Sequence, residues 1–159
     1  MSILIRSAVQ SDCTKIRPLQ KEIADLHHAG RPDLFREEAR YYTEEAFAGI
    51  IGEPGHFVFM AENEMGEVVG YAFAWLIDYK NHSTYKPFLC FYIDDICVLS
   101  SHRRRGIGRM LFEKCKVQAE ECGCKMMDLG VWSFNREAIA FYEGMGMEER
   151  IRKMEFRLN

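Results

Sequence analysis

The chain has 159 residues and a net charge of −3, from 24 acidic and 21 basic side chains. This length suits a single domain, and the acidic balance argues against a general nucleic-acid binder, which would usually be basic. No stretch reaches the ~18 apolar residues that a membrane-spanning helix needs, and the opening segment carries no recognisable export signal. We therefore expect one cytoplasmic domain over residues 1–159, without a membrane or nucleic-acid partner.

The cysteine pattern predicts reduced core thiols and no metal site. Cys122 and Cys124 form a C-x-C pair, but a metal site would need a second pair or matching histidines, and the sequence supplies neither. Without an export signal, the expected state of the thiols is reduced. The six cysteines are Cys13, Cys90, Cys97, Cys115, Cys122 and Cys124.

The first forty residues predict a strand, a helix and a loop. Residues 3–9 favour a strand, and Ser11 then stands as a helix N-cap before apolar residues at helical spacing. Pro18 falls inside that helical pattern, so we expect it to kink or split the helix. Residues 27–42 are polar and contain a glycine and a proline, which predicts a loop.

A second helix and three strands are predicted next. Thr43 is placed to cap a short helix that Gly52 ends. Residues 56–62 and 68–79 are apolar and flank a polar turn, which is typical of a hairpin. Residues 88–100 predict a long strand with two adjacent carboxylates in its middle.

The remaining elements alternate between helix and strand. A helix is predicted from Gly108 to Cys122, a strand over 125–132, and a short helix that Asn135 caps. Alternating apolar residues over 149–158 predict a closing strand. The order is β-α-α-β-β-β-α-β-α-β, which indicates a single α/β domain with a mixed sheet.

The stretch "SHRRRGIGRM" at 101–110 combines three arginines with two glycines where a strand turns into a helix. The first helical turn leaves N–H groups without partners at the positive end of the dipole, and glycine lets an anion approach closely. Gly108 is not followed by the Lys of a Walker A loop, and Leu111 stands where a dinucleotide fingerprint needs a third glycine. The alternatives are an anion cradle of another kind or a solvated, basic helix start.

Two motifs resemble those of a known family, and this resemblance favours the anion cradle. The spacing R-x-x-G-x-G over Arg103–Gly108 resembles the acetyl-CoA pyrophosphate loop of the GNAT N-acetyltransferase superfamily, and "SFNREAIAFYEGMGM" at 133–147 resembles its second signature. The resemblance implies the GNAT acyl-CoA N-acyltransferase fold, with acetyl-CoA as the cosubstrate. It implies coenzyme contacts from Ile96, Cys97, Val98, Arg103, Arg104, Arg105, Gly106, Ile107, Gly108, Arg109, Asn135 and Tyr142.

Acetyl transfer to an amine requires a base, because an alkylammonium with a pKa of ~10.4 must lose a proton before it can attack. Asp94 and Asp95 are the candidates, and adjacent strand residues are expected to point to opposite faces. An acidic residue at the place of Asp94 is a base candidate in polyamine-acetylating members of the superfamily. The alternatives are that one carboxylate caps a helix or pairs with a buried arginine, or that water alone serves as base.

The resemblance also gives a role to Tyr142, which matches the tyrosine that protonates the coenzyme sulfur. The alternative is that Tyr142 only packs beside Phe141. Asn135 can act both as a helix cap and as a coenzyme contact. The donor to the developing oxyanion is expected to be a backbone N–H near Cys97 or Val98, where two strands part.

The sequence gives weaker signals for the acceptor site than for the coenzyme site. Residues 27–45 hold acids and aromatics in the region that the family uses for the acceptor, and Tyr85 adds bulk in the loop 80–87. Solvated helix faces are the alternative for the acids, and His27 and His28 are expected in a loop or at the surface. The acids are Glu37, Glu38, Glu44 and Glu45.

We therefore predict an acetyl-CoA-dependent N-acetyltransferase, in which a primary amine of a small molecule attacks directly within a ternary complex. A protein or peptide acceptor and a non-catalytic acyl-CoA sensor are the alternatives. Because family members are often dimers, a homodimer is a possible assembly.

Overall fold

The computed structural model describes residues 2–39 and 41–158, which form one five-stranded sheet in the order β1-β2-β3-β4-β5. Strands β1 to β4 are antiparallel neighbours, and β5 joins β4 in parallel. The elements are β1 Ile3–Ser7, α1 Arg17–Gly30, α2 Glu44–Ile50, β2 His56–Asn63, β3 Val68–Asp78, β4 Leu89–Val98, α3 Ile107–Glu121, β5 Met126–Leu129 and α4 Arg136–Gly144.

The two faces of the sheet carry separate core clusters. On β2, Phe59 and Ala61 belong to the cluster that packs against α3, whereas Val58 and Met60 belong to the cluster that packs against α1 and α2. Successive strand residues point to opposite faces, so this alternation places helices on both sides of the sheet. The predicted α/β class with a mixed sheet is confirmed.

The first helix begins later than Ser11 predicted. A 3-10 turn covers Gln10–Asp12, and α1 begins at Arg17, so that Pro18 lies in its first turn rather than inside it. Proline is tolerated there because the first N–H groups of a helix have no intrahelical partner. The helix then runs to Gly30, so it covers the first four residues of the predicted loop.

The two predicted helix caps and the hairpin agree with the structure, whereas the strand predicted over 125–132 is shorter and covers Met126–Leu129. The side chain of Thr43 accepts a hydrogen bond from the N–H of Ala46 at 3.1 Å, and the side chain of Asn135 accepts one from the N–H of Ala138 at 3.1 Å. Both residues therefore cap helices, as predicted. The hairpin is formed by β2 and β3. Within residues 2–39 and 41–158, no helix is long and apolar enough to cross a membrane.

The predicted strand over 149–158 differs from the structure. Residues 147–158 belong to no helix or strand, and β5 is the last strand of the sheet among the described residues. The apolar side chains that predicted the strand are largely exposed, with Phe156 88% accessible to solvent. The alternation is present in the sequence, but these residues pair with no strand among the described residues.

Candidate active site

A cleft opens where β4 and β5 separate. The two strands pair only from Cys90 opposite Met126 to Ile93 opposite Leu129. Beyond Ile93, β4 continues to Val98 with β3 as its neighbour on one side only. The cleft has a volume of about 550 Å³ and lies between the end of β4, the start of α3 and α4.

The cleft collects nearly all of the residues that the sequence assigned to the coenzyme. Arg105 is the exception, because it does not line the cleft. The lining residues that were predicted are Ile96, Cys97, Val98, Arg103, Arg104, Gly106, Ile107, Gly108, Arg109, Asn135 and Tyr142.

The start of α3 presents a set of unpaired donors to this cleft. Gly106 adopts a left-handed conformation with φ of 82° and caps the helix, whose first main-chain bond is from Met110 N–H to the Gly106 carbonyl at 3.0 Å. The N–H groups over 106–109 therefore have no acceptor among the described residues. Four such donors at the positive end of a 15-residue helix form an anion site.

The arginines beside this anion site differ in their freedom. The side chain of Arg103 is held in place by two contacts. Its Nε donates to the carbonyl of Val98 at 3.0 Å, and its Nη2 lies 3.2 Å from Glu22. Arg104 is exposed and lies 3.7 Å from Glu137, which is a weak contact. Arg109 is also exposed and lines the cleft.

The two carboxylates of β4 lie at a β-bulge. Phe73 pairs with Asp95 and the next residue of β3 pairs with Ile93, so Asp94 is the extra residue on β4. The hydroxyl of Tyr42 donates to Asp94 at 3.0 Å, and the hydroxyl of Tyr71 donates to Asp95. Both tyrosines belong to the core on the α1 and α2 side, so the expectation that the carboxylates point to opposite faces is wrong.

Asp95 lacks a cationic partner among the described residues. Its side chain keeps partial contact with solvent but is surrounded by protein, and this burial raises the pKa of Asp95 to about 7. The hydrogen bonds from Tyr71 and from the N–H of Ile96 act in the opposite direction, and the charge of Asp94 adds to the rise. Asp94 is more exposed to solvent than Asp95, and the protein packed on one side of it raises its pKa, while the bond from Tyr42 lowers it.

Tyr142 lies on the cleft wall with its ring packed in the core. Burial raises the pKa of its hydroxyl, and the nearby charge of Asp95 adds to the rise. Its ring contacts Phe141 at 5.1 Å and Phe112 at 6.5 Å between centroids. The packing alternative therefore holds for the ring, while Tyr142 lines the cleft and its raised pKa keeps the hydroxyl protonated.

Tyr42 contacts the carboxylate of Asp94, whose charge also acts on two other tyrosines. Besides the hydrogen bond from Tyr42, the charge of Asp94 contributes to raising the pKa of Tyr41, which reaches about 12, and of Tyr92. Burial is the larger cause in both cases. Tyr92 lies two residues before Asp94 on β4, and alternate residues of a strand share a face, so the strand pattern alone could have indicated this neighbour.

An aromatic cluster lies against Tyr41. His27 lies 5.0 Å from Phe35 and 6.4 Å from Trp132 between ring centroids, and its Nδ1 contacts the hydroxyl of Tyr41. Phe35 and Trp132 meet edge to face at 5.3 Å. His27 is half-buried, which lowers its pKa, so the prediction of a surface histidine is wrong for this residue. His28 is also half-buried.

The predicted acids of the acceptor region divide into two groups. Glu38, Glu44 and Glu45 line a second cavity of about 590 Å³ on the α1 and α2 side, and Tyr42 lines it as well. Glu44 is paired with Arg17. The remaining acid, Glu37, is exposed and does not line this cavity.

The loop over 80–87 does not contribute to this region in the contacts described. Tyr85 stacks on His82 at 4.5 Å and meets Tyr79 at 5.2 Å between ring centroids. The loop's aromatics pack on one another, and Tyr85 remains 55% exposed. The expected role of Tyr85 beside the acceptor has no supporting contact among the described residues.

The main chain at the end of β4 directs one N–H group towards the cleft. The N–H of Leu99 donates to the carbonyl of Val69 on β3 at 3.0 Å. Because alternate residues of a strand direct their N–H groups to opposite edges, the N–H of Val98 points away from β3. The bond from Arg103 to the Val98 carbonyl at 3.0 Å fits this orientation.

The thiols and acidic groups show no metal centre within the described residues. All six cysteines are free, and no cluster of three or more His, Cys, Asp or Glu side chains could hold a metal ion there.

Comparison with known proteins agrees with this geometry. A family model described as the acetyltransferase (GNAT) family matches residues 20–147. Thialysine N-epsilon-acetyltransferase of Mus musculus is 30% identical over 156 residues, which covers 93% of this chain and 85% of that protein. The enzyme of the same name from Bos taurus is 29% identical over 157 residues, with 92% and 85% covered.

Solved structures extend the likeness to the whole fold. A variant of the BH1408 protein from Bacillus halodurans superimposes with a TM-score of 0.93 at 26% identity, covering 98% of this chain and 99% of that one. AAC(6')-Iy in complex with a bisubstrate analogue gives a TM-score of 0.76 at 21% identity, with 100% and 99% covered, which shows the fold alone. The chain therefore belongs to the acetyltransferase (GNAT) family and is an N-acetyltransferase.

Proposed function

We propose that this chain transfers acetyl from acetyl-CoA to a primary amine of a small molecule, by direct attack in a ternary complex. The observation that carries the proposal is the position of Asp94. Its carboxylate lies among tyrosines, at the point where β4 leaves β5 and the cleft begins. A carboxylate flanked by aromatic rings is suited to hold an ammonium group with an apolar stem and then to take its proton.

The cleft is suited to the coenzyme. The unpaired N–H groups over 106–109 would bind the pyrophosphate, and Arg104 and Arg109 could reach other phosphates. Arg103 has a different part in this proposal, because its guanidinium is engaged by Glu22 and the Val98 carbonyl. We assign to it the positioning of the strand end against α1.

Three groups divide the chemistry of transfer. Asp94 accepts the proton of the ammonium, and its raised pKa makes it a better base than a fully solvated carboxylate. The N–H of Val98 donates to the carbonyl oxygen while the nitrogen–carbon bond forms and the carbon–sulfur bond breaks. Tyr142, whose raised pKa keeps its hydroxyl protonated, gives that proton to the departing thiolate, and the second proton that the attacking nitrogen loses as the amide forms restores the Tyr142 hydroxyl.

A small amine is favoured over a peptide by the walls of the site. His27, Phe35 and Trp132 pack together beside Tyr41 and form an aromatic wall near Asp94. The relatives are named for thialysine, and one neighbour is an aminoglycoside acetyltransferase structure with sisomicin. A peptide acceptor and an acyl-CoA sensor without turnover remain the alternatives. We also propose a homodimer as the assembly and the cytoplasm as the compartment.

The proposal is tested by thiol release from acetyl-CoA with a panel of small amines and a panel of lysine peptides. We expect turnover of at least one amine with a basic primary amino group, at a kcat/KM above that of every peptide. Faster turnover of peptides would overturn the acceptor class. CoA binding without thiol release in either panel would support the sensor instead.

The coenzyme site has its own test, which uses a matched pair of glycines. In Gly108→Glu the new carboxylate would enter the anion site, although a Cβ there meets only the Phe141 ring at 3.5 Å, an ordinary contact. In Gly49→Glu, on α2, nothing lies within 4 Å of the added Cβ. Titration calorimetry with CoA is expected to show binding to the Gly49 variant and none to a folded Gly108 variant. Equal affinities would overturn the pyrophosphate assignment.

A further inference from the structure

Glu22 of α1 holds the turn that follows β4. Residues Ser100–His102 form a 3-10 turn, and the N–H of Ser100 donates to both carboxylate oxygens of Glu22, at 2.9 and 3.2 Å. The hydroxyl of Ser100 donates to the same carboxylate at 3.0 Å, and Nη2 of Arg103 lies 3.2 Å from it. One side chain from another element therefore binds both the start of the turn and the residue that follows it.

The side of α1 that carries Glu22 faces the end of β4 and the coenzyme cleft. The thiol of Cys97 donates to the carbonyl of Leu19 at 3.4 Å, and Ile23 and Leu26 line the cleft. Helix residues three or four positions apart lie on one side, which agrees with these contacts. Glu22 does not line the cleft itself. Any effect that it has on a coenzyme must therefore pass through the turn that it binds.

The backbone between this turn and α3 is strained. Arg104 has a φ of 59°, in the left-handed region that non-glycine residues rarely adopt. Such a conformation persists only where neighbouring contacts hold it. On one side Gly106 caps α3, and on the other side Arg103 is held by Glu22 and by the carbonyl of Val98. The loss of Glu22 would remove one of these contacts of Arg103 and let the segment relax.

The segment over 99–106 joins two groups of donors that the proposed function assigns to one coenzyme molecule. The N–H of Val98 lies just before the segment, and the N–H groups over 106–109 lie at its end. The first would contact the thioester oxygen, and the others would contact the pyrophosphate. Because both groups belong to one molecule, the shape of the segment determines whether the coenzyme can reach both sets of donors at once.

We propose that Glu22 is a positioning residue for acetyl-CoA, which fixes the segment over 99–106 so that the pyrophosphate and the thioester are bound at the correct separation. This role rests on the proposed function, because it requires the pyrophosphate to bind at 106–109. A carboxylate suits the place, since it accepts from two donors of Ser100 and also balances the charge of Arg103. A glutamine could accept from Ser100 but would leave that charge unbalanced.

Titration calorimetry with CoA is the first test, with two acidic residues of α1 as a matched pair. Glu22→Ala is expected to raise the Kd for CoA at least ~10-fold, since hydrogen bonds to a charged group are lost. Asp25 forms an exposed pair with Lys21 on the same helix, so Asp25→Ala is expected to leave the Kd within about twofold. Glu22→Gln, which keeps the volume of the side chain, is expected to lie between the two. Circular dichroism checks that each variant is folded.

Gly108→Glu in the same titration separates the role of Glu22 from the proposed function. If Gly108→Glu binds CoA as wild type does, the pyrophosphate site itself is wrong. If Gly108→Glu loses CoA while Glu22→Ala and Glu22→Gln bind it as Asp25→Ala does, the pyrophosphate site stands and the positioning role of Glu22 is overturned.

A shorter acyl donor distinguishes positioning from a general effect on the fold. S-acetylpantetheine carries the thioester but ends before the pyrophosphate, so its reaction does not depend on the separation of the two sets of donors. Glu22→Ala is expected to lower kcat/KM by ~10²-fold with acetyl-CoA and by less than about threefold with S-acetylpantetheine. Equal losses with the two donors would show that Glu22 acts on the fold alone, and would overturn the positioning role.

Discussion

Asp12 and Asp95 are both surrounded by protein, but their pKa values are shifted in opposite directions. Asp12 has no exposed surface, and Arg6 grips it with Nη1 at 2.6 Å and Nη2 at 2.9 Å, which holds the pKa of Asp12 well below its usual value. Asp95 has hydrogen bonds from Tyr71 and from the N–H of Ile96 but no cation among the described residues, and its pKa is about 7.

The difference shows how the partner decides what a carboxylate is used for. Arg6 also contacts Glu62 on β2 at 2.6 Å, so Asp12 helps to fix the chain after β1 against the edge of the sheet. Its charge is constant, which suits a structural role. Asp95 changes charge near neutral pH beside the cleft and next to Asp94, where the electrostatics of the site depend on it.

The largest expected effect is on stability, from Asp12→Ala. Removal of this carboxylate leaves the guanidinium of Arg6 without its main partner in a part-buried position, which should cost about 3–5 kcal/mol in the free energy of unfolding. Asp25→Ala is the control, since Asp25 forms an exposed pair with Lys21 and should cost less than ~1 kcal/mol. Urea unfolding at pH 7 measures both. Equal losses in the free energy of unfolding would mean that the Arg6–Asp12 pair stabilises the fold no more than the exposed Lys21–Asp25 pair does.

The second prediction contrasts the pH dependence of the two aspartates. The pKa of Asp95 is raised in the folded chain, so its contribution to stability is present below pH ~4 and is lost as the pH rises to about 7, by up to ~1.4 kcal/mol per unit. Asp12, with a lowered pKa, contributes above pH ~4 and loses that contribution in acid. Asp95→Asn should therefore unfold like wild type at pH 4 and be more stable than wild type at pH 8. A constant difference across this range would contradict the assignment.

The sequence predicted the parts of the site that depend on local structure. The donors at the start of α3 follow from a strand, two glycines and a helix in succession, and the cap at Asn135 follows from its place before α4. Each of these features involves residues a few positions apart. Their geometry is therefore encoded in a short stretch of chain, and motif spacing is enough to find it.

The parts that the sequence missed depend on distant residues. The bulge at Asp94 arises from the register of β4 against β3, and it brings Tyr42 and Tyr71 to adjacent carboxylates. The pairing of His27 with Trp132 joins the end of α1 to the segment after β5. Periodicity within one element carries no information on such contacts.

The third prediction separates Asp94 from its neighbour on β4. Asp94→Asn should lower kcat/KM for the best amine by ~10³-fold near pH 7 and recover part of that loss above pH ~9, where free amine needs no base. Asp95→Asn should lower kcat/KM less than Asp94→Asn does, because Asp95 accepts a hydrogen bond from Tyr71 and is not the proposed base. Profiles of kcat/KM against pH for the two variants decide the assignment. An Asp94→Asn profile parallel to that of wild type would show that Asp94 is not the base.

The smallest expected effect concerns the tyrosine whose pKa Asp95 helps to raise. Tyr142→Phe keeps the ring that packs against Phe112 and Phe141 and removes only the hydroxyl at the cleft. We expect kcat to fall by ~10²-fold, as for the loss of a general acid, while the affinity for CoA stays within about twofold. Tyr79→Phe is the control, since Tyr79 packs on Phe88 at 4.7 Å between ring centroids and does not line the coenzyme cleft, so its loss of a hydroxyl should leave kcat unchanged. The acid role also predicts that an acyl donor with a less basic leaving thiol suffers a smaller loss, because its thiolate departs with less need of a proton. If Tyr142→Phe lowers kcat equally with both acyl donors, or leaves kcat unchanged, Tyr142 acts through packing alone.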